Sequence, residues 1–409
     1  MSLQSYQVLQ RDDAGVAHFA QDNGTVVELK TGGPYEVGDA TEILVGDLWV
    51  LAGQSNMEGC GRPIDMETSS PLVHSFQSKE VWAVAEEPLH WLDESPRPVH
   101  RKINGMPPPP ETLEARPTGR ANGSGLGLTF AKLIQARTGV PVGLIPCAHG
   151  GTSMDQWSPE RDATEGDNSL YGATLSRIRA NGGKVAGILW YQGESDADEA
   201  SVPLYMDRMV ALIQAFRRDL DQLDLPFYLV QLGSYVTAGA PGEAARWSAI
   251  RAEQRRLTTA LPNVEMVSAI DLDLDDGIHI STAGLKRLGK RLANVACGFP
   301  TPTLAGVEKI QSSIGNYVTL RVSFDGARGW LRAEGRPTGF TLRDSDDADT
   351  HQIFKTTLEG DAAILHLSVE TLPVGLSLWY GYGLDPYCNI TDAEDAAVPA
   401  FGPISLPVD

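Results

Sequence analysis

Short apolar runs alternate with amphipathic stretches between residues 45 and 299. Five runs have the length and the apolar content of buried strands, namely 47–52, 140–146, 185–191, 226–232 and 264–270. Apolar residues recur at helical spacing in two of the stretches that follow them, namely Tyr205, Met209, Leu212, Phe216 and Leu220, and then Leu285, Leu288, Leu292 and Val295. Strands that alternate with helices predict an α/β domain, in which helices cover both faces of a parallel sheet. Ligands of such sheets bind beyond the carboxyl ends of the strands.

The pattern changes on both sides of this region. Beyond Pro300, short β-rich runs are separated by Gly, Asp and Pro turns, namely 318–324, 329–334, 363–369 and 376–382. The first 45 residues have a similar texture at 18–20 and 26–29. We therefore predict three segments: an N-terminal β segment (1–45) that packs with the C-terminal strands, a central α/β domain (46–300), and a smaller β-rich, sandwich-like domain (301–409).

Residues 70–120 follow neither pattern. They contain a run of four prolines (107–110), the tryptophans Trp82 and Trp91, and no clear periodicity. Irregular segments of this length are uncommon inside a compact domain and often form the lid or rim of a site. We expect this segment to border the site at the sheet edge.

Composition narrows the classes of function. The chain has 409 residues, enough for two domains with substantial cores, and its 42% hydrophobic and 21% charged residues are typical of globular proteins. A formal net charge of −20 argues against nucleic acid as a partner, because phosphate binding requires a basic face. A neutral small molecule or a glycan fits this charge better, although surface acidity also serves solubility alone.

Neither a membrane span nor a cysteine framework is indicated. No apolar run reaches the length of about 18 residues that a membrane helix requires. The N-terminus lacks the basic and then apolar segments of a signal peptide. Because such a leader can be removed, the sequence does not determine the compartment, and a secreted or periplasmic location stays open. The oligomeric state is equally open. The cysteines form no CxxC pair, which argues against structural zinc and leaves their pairing undetermined: Cys60, Cys147, Cys297 and Cys388.

Ser55 is the candidate nucleophile. It follows the first predicted strand, where a parallel α/β enzyme exposes a nucleophile, and Gly53 permits a tight turn before it. The stretch is not the Gly-x-Ser-x-Gly elbow, because Met57 occupies the last glycine position. As an alternative, Ser55 and Glu58 fit a capping box that opens the next helix.

Asp276 and His279 are the candidate proton-transfer groups. They lie between the last predicted strand and the last predicted helix, and their spacing lets one short loop present both side chains to one cleft. A serine hydroxyl needs a neutral imidazole to take its proton, and the imidazole needs a carboxylate to fix its tautomer. The alternative is a solvated acidic turn with an incidental histidine. His149, beside glycines at another strand end, is an alternative base.

The same acidic stretch partly matches a calcium-binding loop. Asp271, Asp273 and Asp275 stand at alternate positions, but Asp276 interrupts the motif before its glycine. Thr282 stands where the loop requires a bidentate glutamate. We therefore predict no metal site.

Two further strand ends supply candidate donors for an oxyanion hole. The second predicted strand leads into a Gly-Gly pair (150–151), whose backbone N–H groups can point at a developing oxyanion. One such donor stabilises a transition state by about 2.7–4 kcal/mol. The third strand ends at Gln192, a neutral amide at the same edge. The alternatives are an ordinary glycine turn and a helix cap built on Ser195 and Asp196. Together, the four strand-end motifs are much stronger evidence for an acyl-transfer site than each motif is alone.

At these positions the chain resembles the sialate O-acetylesterase and acetylxylan-esterase-like branch of the SGNH hydrolases. The matching blocks are Gly53-Gln54-Ser55-Asn56-Met57, Gly150-Gly151-Thr152-Ser153, Gln192-Gly193-Glu194-Ser195-Asp196 and Asp276-Gly277-Ile278-His279. The resemblance extends over residues 46–297, and the tail from 378 to 390 is similar to the β-rich part of sialate O-acetylesterases. It implies a flavodoxin-like three-layer α/β/α fold and a serine esterase without metal or cofactor.

The resemblance also implies roles for individual residues. The N–H groups of Ser55 and Gly151 and the side chain of Gln192 form the implied oxyanion hole, with Gly150 as the alternative glycine. Ser195 stands where the broader SGNH pattern has asparagine, so Gln192 takes that donor role in this branch. The implied triad is Ser55, Asp276 and His279.

The expected activity is the removal of O-acetyl groups from carbohydrates, sialates or other glycans. Trp157, Trp82 and Trp91 are candidates for stacking on a sugar face, with ordinary core packing as the alternative. Two other functions remain open at this point. One is a lipase, arylesterase or thioesterase with a wide apolar site, and the other is a non-catalytic glycan-binding protein.

Overall fold

The computed structural model describes residues 3–20, 26–105, 123–372 and 374–407, so the four prolines of the expected lid lie outside the described residues. The helices are α1 (Ser55–Glu58), α2 (Pro98–Ile103), α3 (Gly127–Thr138), α4 (Asp162–Glu165), α5 (Leu170–Ala180), α6 (Tyr205–Asp219), α7 (Glu243–Ala260) and α8 (Thr282–Ala296). The strands up to residue 300 are β1 (Val8–Gln10), β2 (Val16–Ala20), β3 (Val26–Lys30), β4 (Gly32–Val37), β5 (Ala40–Gly53), β6 (Val73–Phe76), β7 (Trp82–Val84), β8 (Val142–Pro146), β9 (Gly187–Tyr191), β10 (Phe227–Gln231) and β11 (Val264–Ser268). The later strands are β12 (Thr303–Ile310), β13 (Thr319–Asp325), β14 (Arg332–Ala333), β15 (Phe340–Arg343), β16 (Ile353–Glu359), β17 (Ala362–Leu367), β18 (Ser377–Tyr380), β19 (Ile390–Thr391) and β20 (Phe401–Ser405).

β5 lies at the centre of a mostly parallel sheet with the strand order β11-β10-β9-β5-β8-β6-β7. Its second half pairs in parallel with both β8 and β9, so that Leu51 lies opposite Pro146 and Leu189. All five strands predicted for the central domain are present. They are buried over nearly their whole length, as expected for apolar runs in a sheet covered on both faces.

Helices cover both faces of this sheet. α3 packs on α8, and α6 packs on α7. The apolar positions of the two predicted helical stretches, 205–220 and 285–295, are buried in the main core. This burial confirms the three-layer α/β/α arrangement. No helix in the described ranges is long and apolar enough to cross a membrane.

The segment expected as a lid is partly built into the sheet. β6 pairs in parallel with β8, and β7 closes the sheet edge as an antiparallel neighbour of β6. Residues 73–84 therefore form an edge of the main sheet and not an irregular loop. Their short strands were missed because neither shows a clear alternation of polar and apolar positions.

The N-terminal segment packs on the central domain. β1 pairs in parallel, and β4 antiparallel, with the first half of β5. Val8 belongs to the main core, while β2 and β3 form a separate hairpin. The prediction that residues 1–45 pack with the C-terminal strands is therefore wrong. The physical reason is that β5 begins at Ala40 and offers its first half for pairing.

The C-terminal region is β-rich, as predicted. One antiparallel sheet has the order β12-β13-β17-β16, another has the order β15-β18-β20, and β14 pairs with β19. Their buried side chains, such as Leu320, Leu365 and Phe401, form a core separate from that of the central domain. Two antiparallel sheets around one core agree with the sandwich-like prediction.

Buried polar contacts join the two cores. Arg251 on α7 donates hydrogen bonds to the carbonyl oxygens of Gly381 and Gly383, at 3.1 and 2.5 Å. Gln231 at the end of β10 exchanges two hydrogen bonds with the backbone of Ala400, at 2.9 and 2.8 Å. Because buried polar groups are costly to leave unpaired, these contacts hold the domains in one arrangement. Within the described ranges, which include all four cysteines, no disulfide bond is formed.

Candidate active site

Ser55 is the first residue of α1, directly beyond the carboxyl end of β5. The turn that leads to it requires glycine, because Gly53 has a φ of 130° and a Cβ there would lie 2.1 Å from the carbonyl oxygen of Tyr191. The residue that caps α1 is Gln54, and its side chain makes no capping hydrogen bond. The capping-box interpretation of Ser55 is therefore wrong. Ser55 is half-buried and lies inside the first turn of the helix, so its hydroxyl does not cap the helix.

Asp276 and His279 lie on a tight loop between β11 and α8. Asp276 Oδ2 is 2.7 Å from His279 Nδ1, and Asp276 Oδ1 accepts hydrogen bonds from the backbone N–H groups of Ile278 and His279, both at 2.8 Å. Burial acts to raise the pKa of Asp276, but these hydrogen bonds outweigh it and lower the pKa to about 2. The carboxylate is ionised at neutral pH and holds the imidazole through Nδ1, which leaves Nε2 for proton transfer.

Asn56, the residue after Ser55, connects α1 to this loop. Its Nδ2 donates to the carbonyl oxygen of Ile278 at 3.3 Å, and its Oδ1 accepts from the N–H of Ile280 at 2.9 Å. Asn56 thus binds the backbone on both sides of His279, and it is itself almost fully buried. These two bonds join the loop that carries His279 to the residue directly after Ser55, although the two segments are separated by more than two hundred positions.

Glu194 anchors the Asn56 side chain from the other side. Its Oε1 accepts from Asn56 Nδ2 at 2.9 Å. Burial raises the pKa of Glu194, while the hydrogen bond from Asn56 and the nearby His279 act to lower it. No role was predicted for Asn56 or Glu194. Both lie within the blocks that carry the family resemblance, and that position is the signal by which they could have been found.

The glycine pair lies against Ser55. A Cβ on Gly150 would be 3.2 Å from Glu58 Oε2 and 3.4 Å from the Cβ of Ser55, so the backbone of Gly150 lies close to both residues. The N–H of Gly150 donates to Glu58 Oε2 at 2.7 Å, so this group is already engaged. Gly151 is exposed, with a φ of 67°. Of the two glycines, the geometry favours Gly151 as the oxyanion donor.

Gln192 lies at its predicted strand end, but its side chain points into the interior. It is 0% exposed, and Nε2 donates to the carbonyl oxygen of Thr152 at 3.1 Å and to Asp196 Oδ2 at 2.5 Å. These two bonds use both amide hydrogens, which argues against the prediction that the side chain donates to an oxyanion. The helix-cap alternative also fails, because Asp196 accepts from the N–H of Met154 instead.

His149 is not placed to act as a base. Its Nδ1 lies 3.0 Å from Nδ1 of His100, its Nε2 lies 3.1 Å from Oδ1 of Asn104, and its ring stacks on that of His100. Burial lowers the pKa of His149 to about 4. Because both ring nitrogens already have hydrogen-bond partners, the alternative base is disfavoured.

Trp157 and Trp82 are core residues. Trp157 is 0% exposed and donates to Thr152 Oγ1 at 3.0 Å, and Trp82 is 2% exposed and donates to Asn181 Oδ1 at 2.9 Å. The prediction that these two stack on a sugar is wrong, because neither indole has an open face. Trp91 is partly exposed and remains a candidate.

The acidic stretch before Asp276 is occupied by protein contacts. Asp271 forms an ion pair with Arg291 at 2.7 Å, and Asp275 accepts from the N–H of Arg62 at 2.7 Å. Within the described ranges, no group of three or more His, Cys, Asp or Glu side chains is arranged to hold a metal ion.

The chain has recognisable relatives. It is 28% identical over 264 residues to a probable carbohydrate esterase of Arabidopsis thaliana. The aligned region covers 60% of this chain and 88% of that protein. It is 24% identical over 289 residues to sialate O-acetylesterase of Homo sapiens, of which it spans 53%. The chain therefore spans about half the length of that curated relative.

The fold is similar to a solved structure over nearly its full length. A carbohydrate acetylesterase from Xanthomonas citri matches with a TM-score of 0.69 at 23% identity, over 98% of this chain and 97% of that one. At this identity the likeness supports the fold alone. The family model described as carbohydrate esterase, sialic acid-specific acetylesterase matches residues 45–297, which is well over half of the chain. The chain therefore belongs to the sialic acid-specific acetylesterase family of carbohydrate esterases, in the sialate O-acetylesterase-like branch of the SGNH hydrolases.

Proposed function

We propose that this carboxylic ester hydrolase removes O-acetyl groups from glycans, sialates included, through a triad of Ser55, His279 and Asp276. Family membership supports the reaction class. The observation that supports the residues is the Asn56 side chain, which follows Ser55 directly and binds both backbone neighbours of His279, so that one residue links the proposed nucleophile to the proposed base.

The first half of the reaction acylates Ser55. His279, neutral and oriented through Nδ1 by Asp276, takes the hydroxyl proton at Nε2 while Ser55 Oγ attacks the acetyl carbonyl carbon. The negative charge moves to the carbonyl oxygen, which the N–H groups of Ser55 and Gly151 receive. His279 then gives its proton to the departing sugar oxygen, and the acetyl group stays on Ser55.

The second half returns the enzyme to its starting state. His279 takes a proton from a water molecule, whose oxygen attacks the acetyl-serine carbonyl. The tetrahedral intermediate collapses, acetate leaves, and Ser55 Oγ recovers its proton from His279. The ionised Asp276 stabilises the imidazolium in both halves.

Replacing the nucleophile tests the proposal. Ser55→Ala is expected to lower kcat for acetate release by about 10⁶-fold, below detection, because the covalent route is lost. Acetate would be measured with O-acetyl sialic acids, acetylxylan and acetylated pectin. Fluorophosphonate labelling of the parent protein should disappear in the same variant.

Ser158→Ala is the matched control, since the Ser158 side chain accepts a hydrogen bond from the N–H of Glu160 at the start of a short 3-10 helix. It should label and turn over like the parent. Equal labelling of the Ser55→Ala protein would contradict the mechanism. A parent protein that prefers long-chain acyl esters to acetyl esters would contradict the carbohydrate assignment and leave the triad in place.

A further inference from the structure

A cleft of about 460 Å³ lies between the catalytic loop region and the C-terminal domain. The central domain contributes Asp271, Asp273 and Arg287 to its lining, and the C-terminal domain contributes Arg332, Glu334 and Tyr387. We call this space the junction cleft. Neither the triad nor the oxyanion hole uses any of these side chains.

The floor of the junction cleft is fixed by an ion network that spans both domains. Arg287 binds Asp395 at 2.5 Å and Asp271 at 2.9 Å. The buried Arg291 binds Asp271 at 2.7 Å and donates to the backbone oxygen of Asp395 at 2.7 Å. Because every charge in this network is paired, the floor is rigid, and a ligand meets a preformed surface.

Tyr387 stands at the edge of this surface with 75% of its area exposed. Its position is nevertheless well determined, because the next residue, Cys388, is buried in the C-terminal core. Asn389 is held by hydrogen bonds from its Nδ2 to the backbone oxygens of Glu334 and Arg336, at 2.8 and 3.0 Å. An exposed aromatic ring on a firmly held backbone offers an apolar face at low entropic cost.

The charges of the lining select against an acidic ligand. Asp271 and Asp395 are balanced by Arg287 and Arg291, which leaves Asp273 and Glu334 against the single cation of Arg332. The remaining lining is therefore negative, as is the chain as a whole. A neutral polyol meets both donors and acceptors here, whereas a carboxylated sugar is repelled.

One wall of the cleft is close in the chain to Asp276 of the proposed triad. Asp273 is three residues from Asp276, so their Cα atoms are at most about 11 Å apart. Two backbone hydrogen bonds close this hairpin, from Ser281 N to Asp273 O and from Asp275 N to His279 O, both at 2.8 Å. A glycan chain with its acetyl group at Ser55 would reach the cleft by passing over this hairpin.

We propose that the junction cleft is a subsite that binds the uncharged sugar units beyond the acetylated one, with Tyr387 stacking on a sugar face and Arg332 and Asp273 bonding to hydroxyl groups. The proposal rests on the proposed esterase function and adds that the preferred substrate is a neutral oligosaccharide and not a single sialic acid.

Two measurements with Tyr387→Ala test the subsite. The kcat/KM for acetylated xylo-oligosaccharides should fall about fivefold, the loss expected for one aromatic contact, while kcat/KM for p-nitrophenyl acetate stays unchanged. Binding of the unacetylated xylo-oligosaccharide, measured by calorimetry, should weaken by a similar factor. Tyr387→Phe should behave like the parent, because it keeps the ring.

Tyr317→Ala is the matched control, since Tyr317 is an exposed aromatic residue that packs on Phe354 and is not part of the cleft lining. Unchanged oligosaccharide kinetics and binding in Tyr387→Ala would overturn the subsite, and so would an equal fall with p-nitrophenyl acetate. A larger loss with O-acetyl sialic acid than with the oligosaccharide would overturn the choice of a neutral ligand. A failure of the esterase proposal can be distinguished from a failure of the subsite proposal, because oligosaccharide binding measured by calorimetry does not depend on Ser55.

Discussion

At the scale of single residues, surroundings decide which ionisable groups can take part in catalysis. Asp276 is stabilised as a carboxylate by three hydrogen bonds, whereas burial lowers the pKa of His149 and removes it from solvent. Glu87 shows the opposite effect for a carboxyl group. Burial raises the pKa of Glu87 to about 8, although its Oε2 accepts a hydrogen bond from the N–H of Gly125, and its Oε1 is buried without a partner.

Glu87 is predicted to make stability depend on pH. Its pKa is about 4.3 in the unfolded chain and about 8 in the folded protein, so the folded state favours the proton. Its stabilising contribution is complete below the unfolded pKa and is lost as pH rises through about 8, by at most about 1.4 kcal/mol per pH unit. Between pH 5 and pH 8, the Tm of the parent protein should therefore fall further than the Tm of the Glu87→Gln variant.

Thermal unfolding of both proteins across this range measures the effect. Glu86→Gln is the matched control, since Glu86 is the exposed neighbour on the same segment. It should follow the parent. Parallel curves for the parent and Glu87→Gln would contradict a protonated Glu87 in the folded state.

At the scale of elements, the site depends on the contact between α1 and the loop from β11 to α8. Each element was predicted separately, but the side chain that joins them is Asn56. Its hydrogen bonds act on the backbone of Ile278 and Ile280, so Asn56 is a positioning residue for His279. Glu194, from the end of the third predicted strand, holds Asn56 in turn.

Asn56→Ala is expected to lower kcat for p-nitrophenyl acetate by about 10²-fold, because a displacement of His279 by about 1 Å disrupts proton transfer. KM should change little, since Asn56 is buried and does not contact substrate. Asn181→Ala is the control, because Asn181 is another buried asparagine that bonds to Trp82 far from Ser55 in the sequence. A variant Asn56→Ala with normal kcat would show that the loop holds His279 without this contact.

At the scale of the whole molecule, the C-terminal domain supports the loop that carries Asp276 and His279. Arg251 donates to the carbonyl oxygens of Leu232 and Gly233 on one side and of Gly381 and Gly383 on the other. Beyond this residue, Tyr235 N bonds to Leu384 O, and Val236 N bonds to Gly277 O, inside the Asp276–His279 loop. The two domains and the loop are thus connected by continuous hydrogen bonding.

Arg251→Met should destabilise the protein by at least about 3 kcal/mol, because several buried carbonyl groups lose their donor. Burial lowers the pKa of Arg251 to about 10, so the side chain is charged at neutral pH and no uncharged substitute supplies the same donors. Denaturant unfolding and p-nitrophenyl acetate turnover would be measured together. Arg256→Met, on the exposed face of the same helix, should leave both values near those of the parent. Equal stability of the two variants would contradict a joining role for Arg251.

The sequence by itself determined the architecture and the order of the chemical groups. Buried strands and amphipathic helices carry their periodicity in neighbouring residues, so the α/β domain and the β-rich domain were predictable. The position of Ser55 and of the Asp276–His279 pair at strand ends followed from the same local pattern. These features depend on residues close together in the chain, which is why the sequence was sufficient.

Only the tertiary structure decided which way side chains point and which segments pair. Gln192 and Trp157 lie where the sequence predicts them, yet both are fully buried. Gly150 and Gly151 are adjacent, but only the N–H of Gly150 is engaged by Glu58, a residue more than ninety positions earlier. This long-range contact is what favours Gly151 as the oxyanion donor. The pairing of the N-terminal strands with β5 is likewise a long-range choice. Periodicity reports that a residue is buried but not what it touches, and contacts between distant segments are set by packing.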